Sequence, residues 1–199
     1  MTDAPALSEP PLTPTEADRR LPTLALIADD DIRVETRRLA RYAPAYFWQR
    51  PGSTAGYHNA HAHGLWLHTL KLSTAIARLA PSYLERGRLH RGDVDRLHAA
   101  AILHDQRKEG APSEGHTLDD HDRRMAAVVR EESSLDAVVA RLVATHMGAW
   151  GDGPDPASAL GELLHVADML AADDHISMAI QEPVPIQLRA VGAEGVDLS

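Results

Sequence analysis

Ala99-Ala100-Ala101-Ile102-Leu103-His104-Asp105 leads five apolar residues directly into an imidazole and a carboxylate. Val94, Leu97, Ala101 and His104 share one stripe at helical spacing, so residues 93–105 predict a helix that ends inside a core. Two polar groups at that end are costly to bury unless something there satisfies them. A neutral imidazole and a carboxylate on neighbouring residues can both reach one divalent ion. They lie about 100° apart around a helix axis, so they converge only where the helix end abuts a cavity. The loop after Asp105 offers that opening.

The same spacing recurs on both sides of this stretch. Leu65, His68, Leu72, Ile76 and Leu79 place one stripe on a helix predicted over 60–80. Helices are also predicted over 118–132, over 134–147 with Ser133 or Ser134 as cap, and over 158–174 with Leu160, Leu164, Ala167 and Ala171 inward. Upstream, residues 14–28 predict a short helix bent at Pro22, and Asp29 to Asp31 offer caps for a second helix reaching Tyr42. Tyr46, Phe47 and Trp48 ahead of Pro51 and Gly52 suggest a packed loop, and Gly110, Pro112 and Gly115 mark another over 106–117. No strand-type alternation persists and no repeat is evident. The expected fold is all-α, a bundle of about six or seven helices. A tail over 1–16, a domain over 17–174 and an extension over 175–199 are the expected organisation. Bundles build metal sites from side chains on facing helices. His68, His121, His146 and Asp168 each lie in or beside such a segment, as His104 and Asp105 do.

Composition narrows the chemistry. The 199 residues are 44% apolar, enough for one domain with a sizeable core. The chain has no cysteine, which excludes disulfides, thiolate zinc sites and cysteine nucleophiles. Any metal must be held by imidazole, carboxylate and water. The 12 histidines stand beside a single asparagine and a single phenylalanine, and that excess is the compositional signal. A net charge of −9 disfavours broad nucleic-acid binding but not a small anionic substrate held at a metal. Lys71 and Lys108 are the only lysines among 20 basic residues, a bias expected of a GC-rich genome or, alternatively, of a salt-adapted proteome. No segment approaches the roughly 20 apolar residues of a membrane span, and the start lacks a signal-peptide pattern, so a cytoplasmic location with no membrane association is expected. No Walker loop, zinc-protease helix motif or serine elbow is present.

The order of motifs is informative. Gly64-Leu65-Trp66-Leu67-His68-Thr69 comes first, then Leu103-His104-Asp105-Gln106-Arg107-Lys108, then His121, then His146-Met147-Gly148-Ala149-Trp150, then Leu164-His165-Val166-Ala167-Asp168. This order resembles the HD-domain superfamily of metal-dependent phosphohydrolases, over residues 46–174. The chain looks most like small stand-alone HD proteins and the HD module of some exoribonucleases. The resemblance implies hydrolysis of a phosphate ester of a nucleotide or nucleic-acid end by a metal-activated water. It implies that His68, His104, Asp105 and Asp168 bind one catalytic divalent ion, among Mn, Fe, Co, Ni, Zn and Mg. Binuclear members add histidines from two intervening helices, matched here by His121 and His146, and Asp105 then bridges the two ions. Some of them carry a second histidine directly after the one matching His146. Here that position is Met147, whose thioether is a poor ligand for a hard metal. One ion and two ions both stay open.

Asp105 and Lys108 are the catalytic candidates. Many HD proteins resembling this one have a lysine where Lys108 stands, a candidate phosphate clamp acting as a point charge; a solvated loop lysine is the alternative. Arg107 is expected to be exposed. His165, three residues before Asp168, can orient a ligand or simply pack. His58 can line the substrate mouth, whereas His61 and His63 read as surface residues. His116 takes no role, and His90, His98 and His175 read as structural or exposed. Trp66 and Trp150 read as core. For His121 the competing reading is an exposed helix residue among Asp119, Asp120 and Asp122. Two other function classes compete with a hydrolase. One is a non-catalytic HD module that senses a nucleotide; the other is a helical interaction protein with incidental histidines. The expected partner is a small phosphorylated substrate, a nucleotide ahead of a long nucleic acid, and the oligomeric state is left open.

Overall fold

The computed structural model describes residues 11–53, 59–148, 151 and 154–173. His58, Trp150 and His175 lie outside the described residues. Seven α-helices follow in order: α1 (Pro14–Arg20), α2 (Asp30–Ala40), α3 (Gly64–Glu85), α4 (Arg91–Leu103), α5 (His121–Glu132), α6 (Ala137–Thr145) and α7 (Ala159–Ala172). Short 3-10 turns occupy Pro22–Leu26 and Ala45–Trp48. The expected all-α bundle is what forms, with no strand among the described residues.

The helix that ends in His104 is the centre of the bundle. Leu97 and every residue from Ala99 to Leu103 are fully buried, so α4 is covered on all sides rather than along one stripe. Its small alanine side chains let α2, α3, α6 and α7 approach it closely. The polar step at its end is therefore delivered to the middle of the molecule. Around it, α3 packs along α7 and α5 pairs with α6.

Several boundaries differ from the sequence expectation, each for a local reason. The 14–28 helix divides at Leu21, and Trp66 Nε1 donates to the Arg20 carbonyl at the end of α1 (2.8 Å). Asp29 caps α2 as expected, accepting from Ile32 N. α3 continues past Ala80 through Pro81 to Glu85. Proline removes one helical N–H, and the carbonyl that loses it belongs to Ala77, which is exposed to solvent. α5 begins at His121 rather than 118; residues 119–120 form a turn ahead of it, and the Leu118 N–H donates to the Lys108 carbonyl (2.9 Å). α6 begins at Ala137 with Asp136 as its cap. Ser133 does not cap it; its hydroxyl donates to the Val129 carbonyl in the last turn of α5. No helix among the described residues is long and apolar enough to cross a membrane.

Candidate metal centre

Three helices and the carboxyl ends of two others converge on a single buried cluster. His68 comes from the second turn of α3 and Asp168 from α7, with His68 Nε2 2.8 Å from Asp168 Oδ1. His104 follows the last residue of α4, its Nε2 3.9 Å from Asp168 Oδ1 and 3.6 Å from Asp105 Oδ2. His121 opens α5 and His146 follows α6; their Nε2 atoms lie 3.1 and 3.5 Å from Asp105 Oδ1. The ligand atoms of His68, His104 and Asp168 lie within 4.8 Å of one another, as do those of His104, Asp105 and His146. Asp105 thus turns one oxygen toward His104 and the other toward His121 and His146. The structure brings together all six residues expected from the sequence. His121 is only 2% exposed, so the exposed reading of it does not hold.

Whether these residues fit a cation is decided by the far side of each ring. His104 Nδ1 lies 2.8 Å from the Ala101 carbonyl, His121 Nδ1 2.7 Å from that of Leu118, and His146 Nδ1 2.7 Å from that of Val143. A carbonyl only accepts, so each Nδ1 carries the proton. In the neutral ring Nε2 is then a bare lone pair, aimed inward at other lone pairs and at carboxylate oxygens. His104 Nε2, His121 Nε2, His146 Nε2, Asp105 Oδ1 and Asp168 Oδ1 are all buried without an aligned hydrogen bond. Acceptors facing acceptors in a dry interior repel unless a proton or cation lies between them. Bonds of about 2.0–2.2 Å to one ion would set neighbouring ligands roughly 3–4 Å apart, the spacing found here. The donor set, imidazole and carboxylate, suits divalent first-row ions. The residues fit the group.

The helix ends add to this. His104 and His146 each follow the carboxyl end of a helix, and their Nδ1–H groups satisfy carbonyls of the last turn that have no helical partner. Both ends carry partial negative charge toward the cluster, which favours a cation there. Burial pushes His104 down to about 4 even beside Asp105. Burial opposes a charge on His146 too, but Asp105 and Asp168 together raise it above the ordinary imidazole value. Burial alone would raise Asp105; Lys108 and the surrounding rings instead hold it well below the usual carboxylate range. Asp168 is likewise held low against its burial by the His68 ring and then by His104 and His146.

The neighbouring residues divide by what they touch. Lys108 Nζ lies 2.7 Å from Asp105 Oδ2, so this lysine is an ion-pair partner of the cluster rather than a solvated loop residue. Arg107 is not exposed as expected. It is 4% exposed and lines a small cavity of about 200 Å³ with Pro112, Glu114 and Arg124. The sequence reading missed Tyr46, whose hydroxyl donates to the Gly110 carbonyl (2.9 Å) and accepts from Glu109 N (3.0 Å). Those bonds anchor the loop that carries Lys108, and burial pushes the Tyr46 hydroxyl well above its ordinary pKa. His61 and His116 are exposed, and Trp66 packs in the core. His63 is partly buried, with Nδ1 2.6 Å from the Trp48 carbonyl.

His165 Nδ1 lies 2.8 Å from the carbonyl of His146 and so holds the backbone of that residue. Gly148 makes room for it. Its φ is +52°, and a Cβ there would lie 2.8 Å from His165 Cε1. Gly148→Ala is therefore expected to cost about 1–3 kcal/mol, from left-handed backbone strain plus displacement of the ring. Urea unfolding measures it; a change under a few tenths of a kcal/mol would show that the ring moves aside freely.

Two buried His/Asp groups able to chelate a divalent ion are the architecture of a metal-dependent hydrolase. No curated protein and no solved structure matches this chain. A family model, the HD domain, matches residues 65–173, more than half of the chain and the span that holds all six clustered residues. The chain belongs to the HD-domain family.

Proposed function

We propose that this protein hydrolyses a phosphate ester of a nucleotide or a nucleic-acid end with water activated at a divalent metal centre. The observation that carries the reading is the set of ring lone pairs fixed inward by their backbone carbonyls and facing buried carboxylate oxygens. His68, His104, Asp105 and Asp168 would hold one ion. His121 and His146, with Asp105, would hold a second where two are bound. A divalent ion there would lower the pKa of water and polarise a phosphoryl oxygen. Asp105 keeps its charge because Lys108 sits on it. Lys108 and Asp168, each with 15% of the side chain exposed, are the most open members of the cluster. The Lys108 ammonium, at the more open edge of the cluster, would meet a substrate phosphate as a point charge. His165 keeps His146 in place from behind. The net charge of −9 favours a small nucleotide over a long nucleic acid.

The test is metal analysis of the purified protein, followed by a screen of nucleotides and short oligonucleotides with Mn²⁺, Co²⁺, Ni²⁺ and Mg²⁺. Bound metal and turnover of a phosphate ester are expected. Saturation at a hundred times the dissociation constant should add about 2.7 kcal/mol to folding stability, or roughly 5–10 °C in unfolding temperature. A protein that retains no metal and is inert throughout the screen is not this enzyme. One that binds metal and nucleotide without turnover is a sensing module instead.

A further inference from the structure

We infer that Asn59, together with Lys71, is a positioning residue that fixes the spacing of α3 and α7 where His68 and Asp168 meet. The inference rests on the metal-centre reading and concerns residues that reading does not use. Lys71 lies three residues after His68 on α3 and is only 5% exposed. A buried ammonium must be held by acceptors. Its Nζ donates to Asn59 Oδ1 (3.1 Å), and Asn59 Nδ2 donates to the Ala171 carbonyl (3.2 Å). Ala171 lies three residues after Asp168 in the last turn of α7, where carbonyls lack helical partners. Both links of this chain are buried. It joins the same two helices as the His68–Asp168 pair, one turn further along each.

The identity of residue 59 follows from this arrangement. The ammonium can only donate and the carbonyl can only accept, so the bridging side chain must offer an acceptor to one and a donor to the other. A carboxamide does both; a carboxylate or a methyl group does not. The backbone around it is shaped to admit it. Asn59 has a φ of +49°, a conformation asparagine tolerates better than most residues. Its carbonyl accepts from Gly52 N at 2.8 Å, and a Cβ on Gly64 would lie 1.9 Å from that same oxygen. Glycine at the first position of α3 is thus the condition for Asn59 to reach between the helices. The positive charge of Lys71 beside the carboxyl end of α7 is also favourable.

The test compares wild type, Asn59→Asp, Asn59→Ala and Lys71→Met by Mn²⁺ titration calorimetry and by thermal unfolding of the metal-free proteins. Asn59→Asp keeps the acceptor for Lys71 and tolerates the positive φ, but cannot donate to the Ala171 carbonyl. It should stay folded while binding Mn²⁺ on the order of ten- to a hundredfold more weakly, the range for lost ligand-supporting contacts. Asn59→Ala and Lys71→Met should weaken binding similarly, with the loss confined to one ion if wild type binds two. A folded Asn59→Asp protein with wild-type Mn²⁺ affinity overturns the inference alone. Wild type that binds no Mn²⁺ overturns the metal-centre reading and this inference with it.

Discussion

Asp105→Asn is expected to give a folded protein that has lost turnover by roughly a thousandfold or more, since metal-assisted charge stabilisation is worth several kcal/mol. The two side chains have nearly the same shape, so the packing at the end of α4 is kept. The introduced amide is neutral and carries N–H donors that can satisfy the inward lone pair of His121 or His146, which lie 3.1 and 3.5 Å from Asp105 Oδ1. In the metal-free protein the change relieves a conflict. In the loaded protein it removes the one carboxylate that both groups of rings share. Metal content should therefore fall while the unfolding temperature of the metal-free protein stays level or rises. Activity within tenfold of wild type, with metal content unchanged, would refute a central role for this carboxylate.

His98→Leu is expected to flatten the dependence of stability on pH. His98 lies on α4, almost fully buried, and Nδ1 has no hydrogen-bond partner among the described residues. Burial pushes the ring down to about 4. In the unfolded chain it titrates near about 6.5. Between those values the unfolded state holds a proton that the folded state does not, so stability falls as pH drops through this window. The loss is complete below the folded value and amounts to about 3 kcal/mol. Leucine fills a similar volume and does not titrate. Urea unfolding of both metal-free proteins from pH 4 to 7 should show the variant gaining on wild type by that amount toward the acid end. The cluster histidines titrate in both proteins and cancel in the difference. Parallel curves would mean that His98 reaches water or a partner when protonated.

The contrast between α4 and the 53–64 segment shows what a sequence can and cannot reveal here. The stripe Val94, Leu97, Ala101, His104 repeats at a helical period, so both the helix and its inward polar end were legible. His68, His104, His146 and Asp168 were legible for the same reason, since each interrupts or ends an apolar segment, whereas His121 stands among Asp119, Asp120 and Asp122 and only the order of motifs pointed to it. Boundaries were less so: the Leu118 N–H goes to the distant Lys108 carbonyl, and Ser133 closes α5 rather than opening α6. Arg107 was misread because its burial depends on how the loop turns after Asp105. Asn59 bonds to a carbonyl 112 residues away, and nothing near it in sequence announces that. Composition held a trace of it. Lys108 pairs with a cluster carboxylate, and the single asparagine bonds the other lysine one turn from it, although the scarcity of lysine reads as genome bias.

Three rings of the cluster are each tied by Nδ1 to a carbonyl three residues earlier on their own segment. Such short-range ties set the aperture before any ion arrives. The centre should therefore sort ions by radius. First-row divalent ions, which take imidazole at about 2.0–2.2 Å, are expected to be favoured. Calcium, with bonds of about 2.3–2.6 Å and a demand for six to eight oxygens, would have to push the imidazoles off those carbonyls. Its abundance relative to the smaller ions would then matter little to this protein.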